Sequence, residues 1–240
     1  MTLRANWTSQ ALLFGAAYLA YSASRWVITG DELTAVEHAR RIVNVEAAAG
    51  VAVEASVQRA LDGTIVLWLL NHAYIAAQVV VVPAALAWLY RRDRRIYRRL
   101  RDTVLLTWML ALPVFAFYPV APPRLAELGI ADTITGQTGI ALDSKLTTSF
   151  YNEFAAVPSL HCGFALAVAV ALAAGARHWW SRLTALAWAP TIFVAVVATG
   201  NHFVLDVTAG VAITAVGYGV SELLVRRPLT ARGGRPCTQA

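Results

Sequence analysis

Apolar residues in this chain fall into long runs divided by short charged stretches. Six runs, at about 11–28, 64–90, 103–119, 156–176, 184–199 and 202–224, approach the roughly 20 residues that a helix needs to cross a bilayer. Backbone polar groups find no partners in lipid unless they bond within one segment, so the runs predict helices. The expected fold is therefore all-α, a polytopic bundle of about six transmembrane helices. Between the first two runs, Asp31–Leu61 behaves differently. Val36, Val43, Gly50 and Val57 recur every seven residues among Glu37, Arg40, Arg41, Glu46 and Glu54. That pattern predicts one or two amphipathic helices lying in the membrane interface. Pro83 predicts a kink in the second run. Small residues at Ala20, Ser22 and Ala23 resemble a signal-cleavage site, but the first run is read as a retained span.

Charge gives these helices a direction. Arg91-Arg92-Asp93-Arg94-Arg95 continues through Arg98, Arg99 and Arg101, and a second basic cluster spans Arg177–Arg182. Arginine-rich loops stay inside the cell, so both clusters are expected to be cytoplasmic, with a cytoplasmic tail at 226–240. Residues 1–225 then form a single membrane-embedded domain whose motif-bearing core covers about 100–225. The polar loop from Val120 to Ala155 is extracytoplasmic, and the setting is the plasma membrane. The composition agrees: 58% of residues are hydrophobic and 14% charged, and mean hydropathy is +0.55. A net charge of +6 suggests nucleic acid only until its clustering between apolar runs is seen; no nucleic-acid partner is expected. Arginine in place of lysine, with Lys145 the sole lysine, and abundant alanine read as GC-rich bacterial coding. Cys162 and Cys237 are assigned to opposite faces, so no disulfide is expected.

The chemistry gathers at the extracytoplasmic ends. His161 and His202 each open a long apolar run, where an ionisable group is costly unless it is used. His202 and Asp206, four apart, share a helix face, so the carboxylate can fix the imidazole tautomer and balance its charge. Such a histidine is a nucleophile or a base. His161 follows Pro158-Ser159, a helix start whose positive end favours an anion, with Ser159 as cap and candidate phosphate contact. Arg124 adds a fixed fork suited to phosphate oxygens. Nucleophile, acid and charge compensation together suit phosphoryl transfer. The arginine clusters alone set this topology, so the arrival of Arg124, His161 and His202 on one face is independent support.

Ala121-Pro122-Pro123-Arg124, Pro158-Ser159-Leu160-His161 and His202-x-x-x-Asp206 resemble the three signature motifs of the type 2 phosphatidic acid phosphatase superfamily. The Pro-Pro-Arg and Ser-Leu-His variants are most similar to its inositol phosphorylceramide synthase-like branch. The resemblance implies a lipid phosphatase or phosphotransferase with phosphohistidine at His202, oriented by Asp206, with His161 protonating the leaving group and Arg124 holding phosphate. It implies no metal and no cofactor. The expected partners are a membrane phospholipid or polyprenyl phosphate substrate and, in a transferase, a polyol or lipid-alcohol acceptor. Two family cations are replaced, by Phe117 and Val196. Lys145 and Asn201 are the candidates to compensate.

Plainer readings stand beside these. His202 and Asp206 also suit a buried structural pair or, with His161, a metal site. Arg124 could reach up to lipid headgroups, and Lys145 could be a solvated loop charge. Asn71, His72 and Gln78 suit hydrogen bonds across helices, and His38 and His178 suit the surface. A lipid transporter or scramblase would need polar groups along a path and an internal repeat, and neither is visible.

Overall fold

The structure is a computed structural model that describes residues 6–27, 32–142, 144, 148 and 152–226. Helices dominate it, and among the described residues the only extended pairing is one isolated bridge, Val120 with Ala155. The first expected run becomes helix α1, Trp7–Val27. The amphipathic stretch becomes two helices, α2 at Glu32–Ala48 and α3 at Glu54–Leu61. A long element, α4, covers Ile65–Arg92, and α5 covers Arg94–Phe117. A short helix α6, Thr133–Thr138, lies in the following loop. The last three helices are α7 at Leu160–Gly175, α8 at Trp179–Ala198 and α9 at Val204–Arg226. Among the described residues, Ile65–Arg92, Arg94–Phe117, Trp179–Ala198 and Val204–Leu224 are long and apolar enough to cross a membrane, and Leu160–Gly175 is a shorter apolar helix. The chain is a multi-pass helical membrane protein.

Two local expectations change. The arginine run is not a loop. Asp93 alone interrupts the helix, and its Oδ1 accepts the N–H groups of Arg95 and Ile96 at 2.8 and 3.0 Å. Arginine is a good helix former and Asp a strong cap, so the basic residues lengthen α4 and α5 instead of separating them. At Pro83 the hydrogen-bond ladder changes register: a π-helical turn at Ala77–Val81 lies just upstream of the residue whose missing N–H disrupts the ladder.

The antiparallel helices sort the chain into two ends. At one, α7 finishes near the α4–α5 junction, where Gly175 lies against Ile96 and Leu89. Arg99 there pairs with Glu222 of α9, and Arg94 stacks over Tyr90 at 3.4 Å. A core of Leu89, Tyr97, Leu100, Val104, Phe164 and Val168 fills this basic half. At the other end, α2 lies over the loops, burying Ala35, Ala39 and Ile42 with Val120, Ala121, Ala156, Val157 and Phe203. The buried seam of α2 runs Ala35, Ala39, Ile42, Glu46, one residue off the Val36–Val43 repeat. The smaller side chains let the helix approach more closely, and the seam carries an acid inward.

His38 departs from its surface assignment. It is half-buried, with Nδ1 2.7 Å from the Pro119 carbonyl and its ring stacked on Tyr118. His178 is exposed as expected. Asn71 makes the expected interhelical bonds, donating to the Thr133 carbonyl and to Gln137 Oε1.

Candidate active site

Three loops meet at the end remote from the arginine cluster of the α4–α5 junction, and backbone bonds register them. The Val120 N–H donates to the Phe154 carbonyl at 2.7 Å, and the Ala156 N–H returns to the Val120 carbonyl at 3.3 Å. The Arg124 N–H donates to the Gly200 carbonyl at 2.9 Å, and the Ser159 N–H to the Asp206 carbonyl at 3.0 Å. Each motif is thus tied to another through the main chain. Gly200 turns the chain between α8 and His202 at φ +72°, in the left-handed region where L side chains are strained. Its Cα also sits so close to the loop that a Cβ would lie 2.8 Å from Ile130 Cγ2 and 2.9 Å from the Ala131 carbonyl oxygen.

The two imidazoles face one another. Their ring centroids are 5.9 Å apart, and both rings line one cavity of about 920 Å³ together with Arg124 and Asn201. His202 Nδ1 lies 2.9 Å from the Ala156 carbonyl oxygen and 3.3 Å from Asp206 Oδ2. A carbonyl can only accept, so Nδ1 must carry the proton and Nε2 holds the free lone pair. Asp206 therefore shares its orienting role with a backbone carbonyl, which is the nearer partner. Asp206 is fully buried, and its Oδ2 also accepts the Phe203 N–H at 2.9 Å. His161 is held differently, stacked on Tyr74 of α4 with centroids 4.0 Å apart.

Arg124 does not reach out to headgroups: its side chain is 2% exposed. Nε donates to Asn201 Oδ1 at 3.1 Å, and Nη1 stands 3.8 Å from Asp132 Oδ2. Asn201 in turn donates from Nδ2 to Thr199 at both the carbonyl and Oγ1. Its carboxamide thus aims the guanidinium, a role different from the phosphate donor expected of it. Ser159 is fully buried and caps α7, its Oγ accepting the Cys162 N–H at 3.3 Å. Lys145 lies outside the described residues. At the two substituted positions, Phe117 is 84% exposed and Val196 is fully buried. The Val196 carbonyl accepts the N–H groups of Asn201 and His202, both at 3.1 Å. Among the described residues no group of three or more His, Cys, Asp or Glu side chains is placed to hold a metal ion.

From the histidines the cavity runs between α1, α4, α5 and α7, past Phe14, Phe164 and Leu86, to Trp7 and Tyr97. Phe115 and Tyr97, both in its wall, are eighteen residues apart on α5, or about 27 Å along a helix. That is most of a hydrocarbon core.

Several supporting residues carry no distinguishing signal in the sequence. Tyr74 is one more aromatic in an apolar run. Gln58, which donates to the carbonyls of Ala131 and Ala198, and Glu46 and Glu54 looked like a solvated helix face. Nothing in their local spacing separates them from surface polar residues.

Fold and site define a class: a multi-pass helical membrane protein with paired histidines and an arginine in the wall of an apolar cavity. The chain belongs to the PAP2 superfamily, whose family model matches residues 40–220. It is 24% identical over 166 residues to a phosphoinositol dihydroceramide synthase of Bacteroides thetaiotaomicron, across 60% of this chain and 52% of that protein. The chain thus spans about half the length of that relative. Its fold is similar to the crystal structure of Aquifex aeolicus LpxE, with a TM-score of 0.54, 17% identity, and coverage of 71% of this chain and 93% of the other.

Proposed function

We propose that this protein is a lipid phosphatase or phosphotransferase that works through a phosphohistidine at His202. The observation that carries the reading is one arrangement: two imidazoles 5.9 Å apart in the wall of an apolar cavity, with the Nδ1 of one already bonded to a carbonyl. That spacing lets both rings reach one tetrahedral phosphoryl group. His202 Nε2 attacks phosphorus, and the bond from phosphorus to the leaving oxygen breaks. His161 gives its proton to that oxygen. Water or an alcohol then attacks the phosphorus of phosphohistidine, His161 takes the proton of the incoming hydroxyl, and His202 is released. Arg124, aimed by Asn201, balances the charge on the equatorial oxygens. Asp206 balances the imidazolium formed while Nε2 is phosphorylated and Nδ1 keeps its proton.

The apolar cavity supports a lipid ester or anhydride as substrate, with the chain between α1 and α4. The arginines at the opposite end support an extracytoplasmic site. The similarity to a phosphoinositol dihydroceramide synthase supports transfer to inositol or another alcohol, with water as the competing acceptor.

The test is incubation of the purified full-length protein with a panel of phospholipids and lipid phosphates, with and without inositol, followed by product mass analysis. Turnover is expected, inhibited by orthovanadate and indifferent to chelators. His202→Ala should lower it by at least about a thousandfold while the protein stays folded in the membrane. Full activity in that variant refutes the nucleophile assignment.

A further inference from the structure

The turn that delivers His202 ends in an unusual cap. Three successive N–H groups follow the histidine, and each donates to a carboxyl oxygen. Phe203 reaches Asp206 Oδ2 at 2.9 Å, Val204 reaches Glu54 Oε1 at 3.0 Å, and Leu205 reaches Glu46 Oε1 at 2.6 Å. Helix starts are ordinarily capped by one short polar side chain at the N-cap itself. Here two of the caps come from about 150 residues away, on α2 and α3, and both acids are buried, Glu46 at 1% and Glu54 at 4% exposure. Among the described residues neither forms an ion pair with arginine. Two buried carboxyls without a cationic partner are a costly way to start a helix.

We propose that Glu46 and Glu54 are positioning residues of the phosphoryl-transfer reaction, clamping the first turn of α9 so that the His202 ring is held in line with phosphorus. The inference rests on the function proposed above. Several observations support it. His202 immediately precedes the clamped residues, so tilting of this turn swings the ring out of line. Misplacement of a reacting atom by about 1 Å can cost on the order of a hundredfold in rate. Glu46 Oε2 is buried with no hydrogen-bond partner among the described residues, the situation of an acid that holds a proton. Burial pushes the Glu46 carboxyl up; the Leu205 N–H draws it down, and the neighbouring carboxyls of Glu54 and Asp206 raise it further, to about 8. At neutral pH Glu46 is then a neutral acid, so the clamp does not set two charged carboxylates against each other. The groups facing Glu46 are Glu54 from α3 and, from the start of α9, Asp206 with its partner His202.

Gln can reproduce the protonated acid, accepting from Leu205 and donating to Glu54, whereas Ala removes the clamp. Glu46→Ala and Glu46→Gln are compared in the full-length protein by steady-state kinetics on the lipid phosphate that wild type turns over best, from pH 6 to pH 9.5. Glu46→Ala is expected to lower kcat by roughly tenfold or more while KM changes less than about threefold, and Glu46→Gln to recover most of that loss. Wild-type kcat should decline above about pH 8 as Glu46 ionises, and Glu46→Gln should lack that decline. Two results overturn the proposal: Glu46→Ala with wild-type kcat, or Glu46→Gln as impaired as Glu46→Ala. Binding of orthovanadate, read by protection against thermal unfolding, shows that each variant retains a formed site. Failure of the underlying reading looks different: wild type itself turns over no lipid phosphate, or His202→Ala remains active.

Discussion

Arg124 shows how a single residue comes to matter through its neighbours. Its charge was evident from the sequence, and so was its place in a Pro-Pro-Arg loop. Its aim was not, because that depends on Asn201, seventy-seven positions later, and on the Thr199 bonds that hold Asn201. Arg124→Lys keeps the charge but loses both the fork and the Nε bond. We expect kcat/KM to fall by roughly ten- to a hundredfold, checked by steady-state kinetics with a lipid phosphate. Near-wild-type values would reduce the residue to a diffuse positive charge. His202 and His161 were legible for another reason. An imidazole at the head of an apolar run is conspicuous wherever the chain folds. Tyr74, stacked on His161, was not conspicuous, since an aromatic in a membrane helix is ordinary until its partner is known.

Among the elements, α9 carries the nucleophile and depends on close approach. A Cβ on Gly210 would fall on the carbonyl oxygen of Ser159, the residue that caps α7. That oxygen belongs to backbone and cannot rotate away. Gly210→Ala should therefore force α9 and α7 apart, costing roughly 3 kcal/mol, the upper range for overpacking, and disturbing the distance between the histidines. The checks are a thermal melt in detergent and turnover of lipid phosphate. An unshifted melting temperature would show that the helices have room to spare. The spans themselves followed from apolar run length, since bilayer thickness and helix rise leave little choice. Their ends followed less well. The arginine run continues two helices because one aspartate caps the second of them, a local competition that charge counting does not resolve.

Across the whole molecule, the pair α2 and α3 joins the bundle through acids. Glu46 sits at about 8 in the folded protein, above its ordinary value of 4.5. Between those values the folded state holds a proton that the unfolded state has released. This contribution to stability is complete below about pH 4.5 and is lost as pH rises toward 8. The melting temperature of wild type should therefore drop relative to Glu46→Gln across that window, measured by thermal unfolding at a series of pH values. Parallel curves would mean that Glu46 ionises normally. Sequence alone determined the helical class, the number and order of the apolar runs, the basic end and the motif residues. These depend on composition and spacing within single segments, which the membrane reads directly. Tertiary structure alone decided that α2 turns Glu46 inward, that a carbonyl is the nearer partner of His202, and that the apolar walls leave a cavity between them. Each of these is a contact between residues far apart in the chain, and no local pattern encodes which side chain will meet it.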